Sequence, residues 1–273
     1  MVSPEGRAVI GILAVDEPTN VVEWFTHGAA RAGAGQIPEQ LWLTLWHSAV
    51  ALTVVVIIAV PLGAVLAHHR RGELLASFLV SLGRAVPTVT VVGVAVIVSL
   101  RNGYGFEPWP IIVALVLLGL PPAFANTYAA VRSVDPGPVE AARAMGSTHR
   151  QVLLRVELPL ALPVVLAGVR TAAVQIVATE PLGAFFGGEG LGAYLRQGLA
   201  TRDAHQVQAG ALLVAAVAIA VELGLVLTAR ALVPKGIRAA APPRRAGRSG
   251  STVGPIPGTM PEPIAPLTEP THP

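Results

Sequence analysis

The sequence predicts an all-α protein that crosses a membrane about five times. Three observations carry this. Hydrophobic residues fill 53% of the 273 positions and charged residues only 13%, where a water-soluble domain carries about 25% charged residues. The apolar residues gather into long runs, the first of them 27 residues from Leu41 to Ala67. The basic residues gather between runs, with most of them in alternate intervals.

Residues 1–40 are mixed and form an N-terminal segment. Ala8 to Val15 is apolar but only eight residues long, too short to span. The start lacks a basic leader and a small-residue cleavage site, so no removable signal peptide is expected. Val21 to Phe25 reads as a short interfacial helix, and Arg31 to Gly35 as a loop. Leu41 to Ala67 is the first span, about 40 Å as a helix. Trp42 and Trp46 sit near its start, where indole rings favour the headgroup region. His68-His69-Arg70-Arg71 closes it. Adjacent histidines cannot both face one side of a helix, so a basic interfacial anchor is expected there, not a metal site.

Leu74 to Leu100 is the second span, interrupted by Arg84 and Pro87. Arg101 to Pro110 is rich in turn residues. Ile111 to Val131 is the third span, with Pro121 and Pro122 inside it. Leu160 to Phe186 is the fourth and holds Arg170, Gln175 and Glu180. Gly187 to Gln206 reads as a glycine-rich loop. Val207 to Ala229 is the fifth span, with small residues at four-residue spacing that favour close helix packing. Residues 41–235 therefore form the transmembrane domain. Residues 236–273 hold nine prolines and too little apolar surface for a core, so a disordered tail is expected.

Between the third and fourth spans lies a polar interval, Glu140 to Pro159. Asp135 and Pro136 announce a helix, Gly146 breaks it, and Thr148 with Gln151 forms a capping box for a second short helix. With five spans the termini lie on opposite sides. If the N-terminus is outside, twelve basic residues fall inside and five outside. That bias places the polar interval and the tail in the cytoplasm.

Several chemistries are excluded. There is no cysteine, hence no disulfide or thiolate site. No phosphate-binding loop occurs, and the single lysine, Lys235, lies in VPKG, so the chain has no means of its own to hydrolyse nucleotide. GGEGLG at 187–192 does not follow a strand and is no dinucleotide site. No zinc-protease or serine-hydrolase motif is present. No catalytic, cofactor or metal residues are assigned. The basic excess fits loops between spans, not nucleic acid. Charges inside spans are costly in lipid and mark functional or paired positions. Arg170, Gln175 and Glu180 are candidates for a solute pathway. Structural pairing of Arg170 and Glu180 with other groups stays equally open, and Arg84 and Glu222 lie where they can snorkel. Arg170 and Glu180 are about 15 Å apart along one helix and do not pair with each other.

The polar interval resembles the cytoplasmic signature of binding-protein-dependent ABC importer permeases. Glu140-Ala141-Ala142, Gly146, Val156 and Leu158-Pro159 stand at the spacing of that motif. The resemblance implies the ABC type I importer permease fold and a coupling helix that docks on a separate ATPase subunit. Ala141 and Ala142 would permit close approach, and Gly146 would supply the turn. Over residues 41–232 the chain is similar to the osmoprotectant subgroup, through Arg84-Ala85-Val86-Pro87, Asn126-Thr127-Tyr128, Val134-Asp135-Pro136, Leu158 to Pro163 and Ala167 to Ala172. Two departures stand out. Glu180-Pro181 replaces small apolar residues, and Glu189 interrupts a glycine run. Glu180 could attract a cationic solute or could be a water-exposed substitution.

The resemblance implies a permease subunit of an ATP-driven importer for glycine betaine, choline, carnitine or proline-type solutes. Another small solute, such as an amino acid, is the alternative within the class. A non-transporting scaffold or sensor that binds a cytoplasmic protein or membrane lipid is the alternative outside it. The implied partners are an ABC ATPase that binds the ATP, an extracytoplasmic solute-binding protein, and a second permease chain, identical or not. The implied location is the bacterial cytoplasmic membrane.

Overall fold

The computed structural model describes residues 20–26, 36–85, 87–105 and 108–232. All regular structure among them is helical. The expectations for Ala8–Val15, for Arg31–Gly35 and for the tail at 236–273 lie outside the described residues.

Helix α1 is Val21–Thr26, α2 is Ile37–His68, α3 is Glu73–Ala85 and α4 is Thr88–Arg101. Helix α5 is Trp109–Arg132, α6 is Pro136–Ala144 and α7 is His149–Val152. A π-helical turn at Leu153–Glu157 leads into α8, Leu158–Thr179, which tightens into a 3₁₀ segment at Glu180–Phe186. Helices α9, Gly192–Thr201, and α10, Ala204–Leu232, complete the described chain.

Among the described residues, four segments are long and apolar enough to cross a membrane: α2, α5, α10, and the run from α7 through the 3₁₀ segment. Helix α4 is a shorter apolar helix, about 21 Å at 1.5 Å per residue. The expected second span is therefore two helices. It divides where predicted, at Pro87, whose extended backbone stands as the N-cap of α4. Two expected boundaries move. The fourth span leaves α-helical geometry at Thr179, and the glycine-rich loop contains α9.

Helix α5 is the centre of the bundle and packs against α2, α3, α4 and α8. The contact surfaces are built from small side chains. Ala51, Ala59, Ala114, Ala123 and Ala172 are buried in one cluster with Val55, Leu115, Phe124 and Ile176. Lipid is as apolar as leucine, so close packing of small residues holds such helices together. A Cβ on Gly168 of α8 would stand 2.5 Å from Asn126 Cβ of α5. Glycine is what lets these two backbones meet. A second cluster joins α1 to α9 and α10. Trp24 is fully buried, edge-on to Tyr194 with ring centroids 5.3 Å apart.

Candidate functional site

The polar interval forms the two short helices that its caps predict. Asp135 accepts a hydrogen bond from the Gly137 N–H at 3.0 Å and opens α6. Gly146 closes the turn with φ +83°, a conformation that costs a Cβ-bearing residue strain. Thr148 and Gln151 satisfy each other's backbone N–H groups, at 2.8 and 3.4 Å, as a full capping box. Of the motif residues, Ala142 is buried, and Val156, Leu158 and Pro159 are half-buried. Glu140, Ala141, Arg143, Met145 and Gly146 are exposed. The carboxylate of Glu140 has no ion-pair partner among the described residues. The element thus presents a charged and apolar rim while its inner side is fixed to the bundle.

That fixing involves a residue outside the expected set. Glu157, the last residue of the π turn, is buried and accepts from His68 Nδ1 at 2.6 Å. His68 Nε2 is 3.3 Å from His149 Nδ1. The rings of His68, His69 and His149 lie 5.2–6.4 Å apart. His68 is therefore not an exposed basic anchor: its side chain is 2% exposed and pairs with the polar interval. His69 and its neighbours Arg70 and Arg71 are exposed, as an interfacial position requires. Among the described residues, no group of three or more potential metal ligands is set to hold an ion.

The three pathway candidates are not brought together. Glu180 is buried and is not a water-exposed substitution. Its Oε1 accepts from His47 Nδ1 at 2.9 Å, and its Oε2 has no hydrogen-bond partner. Next to this pair, Gln40 and Thr44 of α2 accept from the backbone N–H groups of Gly190 and Leu191, at 2.6 and 2.8 Å. These bonds tie the loop before α9 to the first span. His47 also lines a cleft of about 310 Å³ with Val92, Val96, Ile111 and Glu189, and Glu180 stands behind it. Arg170 pairs instead with Glu222 of α10 at 3.4 Å, both about two-fifths exposed. Gln175 is exposed.

Sequence reasoning missed His47, Glu157 and the pairing of His68. A signal existed for His47, since an ionisable side chain within an apolar span is a flag by itself. Glu157 occupies an unspecified position of the motif, and its orientation depends on the π turn.

Residues 59–238 match the family described as binding-protein-dependent transport system inner membrane component. The osmoprotectant import permease protein OsmW of Salmonella typhimurium is 34% identical over 205 residues, covering 75% of this chain and 95% of that protein. The glycine betaine/carnitine/choline transport system permease protein OpuCB of Bacillus subtilis is 31% identical, covering 71% and 87%. Among solved structures, an inward-facing MetNI methionine ABC transporter is similar in fold. Its TM-score is 0.62 at 24% identity, over 70% of this chain and 93% of that one.

Proposed function

The chain belongs to the binding-protein-dependent transport system inner membrane components, the permease subunits of ABC importers, and from that membership we propose its cargo, orientation and coupling site. As a member it is a multi-pass inner-membrane protein and a transport subunit. ATP is hydrolysed by a separate ATPase subunit, and solute is delivered by a solute-binding protein.

The cargo is an osmoprotectant of the glycine betaine, choline, carnitine or proline type. Similarity over almost the full length of permeases named for such solutes carries this reading. The N-terminus lies outside and the C-terminus in the cytoplasm, as the bias of arginine between spans favours. Residues 41–235 are the permease domain, between an extracytoplasmic segment at 1–40 and a proline-rich tail at 236–273. Two permease chains, identical or not, enclose the pathway. Half-buried Arg170 and exposed Gln175 of α8 are candidates to face it. Glu180 acts there through His47, whose ring reaches the cleft.

The coupling site is the exposed rim of α6 and its turn, with Glu140, Ala141, Ala142 and Gly146 at the contact. Val156, Leu158 and Pro159 join that rim to α8. The observation that supports it is a carboxylate without an ion-pair partner among the described residues, and a glycine turn, displayed on two capped helices between spans. When the ATPases close on ATP, the docked helices move and the bundle alternates between inward-open and outward-open states.

Reconstitution of the chain with its ATPase and binding protein in proteoliposomes tests this. ATP-dependent accumulation of labelled glycine betaine, choline, carnitine or proline is expected. A binding protein that holds a sugar or a metal ion would overturn the cargo and leave the permease role. ATPase docking without uptake of any solute would favour a scaffold.

A further inference from the structure

We infer that the buried bond between Glu157 and His68 is the strut through which the docking segment drives the first membrane helix, which makes both of them positioning residues for transport. The inference rests on the reading of Glu140–Pro159 as the ATPase-docking segment.

Three observations carry it. Among the described residues, the side-chain hydrogen bonds from this segment to distant parts of the chain both end on His68, one from Glu157 and one from His149. The segment's polar link to the bundle is thus concentrated at the inner end of α2. Second, the link is set by a local irregularity. The Leu158 N–H bonds to the Leu153 carbonyl across a π turn. One extra residue in a helical turn rotates the residues beyond it by about 100°. Glu157 is buried against His68, while its neighbours Leu154 and Arg155 are exposed. Third, the bond is shielded from water, with the two side chains 2% and 8% exposed. An ionised carboxylate can only accept, so His68 carries its proton on Nδ1. On its other side, Nε2 faces His149 Nδ1 at 3.3 Å.

A buried pair of this kind is not pulled apart cheaply, because each partner would be left in a dry site without a counterpart. When the docking segment shifts, His68 moves with it. Helix α2 continues from His68 to His47 with Pro61 inside it, about 31 Å along the axis. There it holds Glu180 and the loop at Gly190. One continuous helix, with Pro61 inside it, therefore joins the docking segment to the cleft at the other end of the bundle.

The test uses the assembled transporter, with ATPase and binding protein, in proteoliposomes, and reads solute moved per ATP hydrolysed. Glu157→Ala and His68→Ala are expected to keep the ATPase bound and hydrolysing. Their ratio should fall about tenfold, the size of a typical coupling between sites. Glu157→Gln, which keeps an acceptor for His68 but loses the charge, should lose about threefold, the scale of one net hydrogen bond. The exchange of both residues, His68→Glu with Glu157→His, should recover part of the loss. A wild-type ratio in both alanine variants overturns the strut. If the alanine variants do not fold, Glu157→Gln and exposed His149→Ala decide it: a lowered ratio supports the strut, and a wild-type ratio in both overturns it. Loss of ATPase binding in Glu157→Ala, to the extent seen in Glu140→Ala, would assign these residues to docking alone and also overturns it. Failure of the docking reading shows separately, as normal ATPase binding in Glu140→Ala and Gly146→Ala.

Discussion

His47 Nδ1 and Glu180 Oε1 stand 2.9 Å apart inside the bundle, 133 residues apart in the chain. Both side chains are more than nine-tenths buried. Removing one partner leaves the other dry and unsatisfied. Glu180→Ala is expected to lower stability by about 3 kcal/mol, while Glu180→Gln retains an acceptor and should cost clearly less. Thermal unfolding in detergent measures both. Equal losses would show that the carboxylate charge holds the pair and that a neutral acceptor does not replace it.

Two glycine-to-alanine changes should behave oppositely. Gly168→Ala places its methyl 2.5 Å from Asn126 Cβ and must push α8 away from α5, a cost of about 1–3 kcal/mol. A Cβ at Gly224 meets nothing within 4 Å. Gly224→Ala should be neutral or gain up to about 1 kcal/mol from helix propensity. Melting temperatures of the two detergent-solubilised variants give the comparison.

Substitution of Glu140 or Gly146 should uncouple the permease from its ATPase and leave it inserted. Neither side chain supports the bundle: both positions are exposed, and a Cβ at Gly146 meets no neighbour. Gly146→Ala bears only the backbone strain of φ +83°, about 1 kcal/mol. Co-purification of the ATPase and uptake are expected to fall about tenfold for either variant. Membrane yield should stay at the wild-type level. Normal uptake in both would sink the coupling assignment.

Thr148→Ala removes one half of the capping box and should destabilise α7 by about 1 kcal/mol. Hydrogen exchange should accelerate at the amide of Gln151, which loses its acceptor Thr148 Oγ1. The membrane helices, which share no bond with this cap, should keep their protection.

The Arg170–Glu222 pair spans α8 and α10 at 3.4 Å but is about two-fifths exposed. A double-mutant cycle with alanine at each position should give a coupling of about 0.5 kcal/mol. Transport should respond to Arg170→Ala more than stability does if that guanidinium faces the solute pathway. Loss of stability without loss of uptake would assign it to packing.

Features under local chemical control were legible in the chain alone. Long apolar runs can only be satisfied in lipid as helices, because every backbone group must find its partner within the segment. The break near Pro87, the cap at Asp135, the turn at Gly146 and the box at Thr148–Gln151 are dictated by residues at most a few positions apart. So is the motif from Glu140 to Pro159. The partners of the charged side chains in and beside the spans, in contrast, came only from the folded bundle. Glu180 meets His47, Glu157 meets His68, and Arg170 meets Glu222, each across helices far apart in the chain. No periodicity encodes those partners. They depend on helix packing around α5, on a π turn that rotates Glu157 inward, and on glycines that let backbones close to contact distance. A charge in an apolar span announces that it must have a partner. Which partner it has is a property of the packed bundle, where the cost of leaving it alone is enforced.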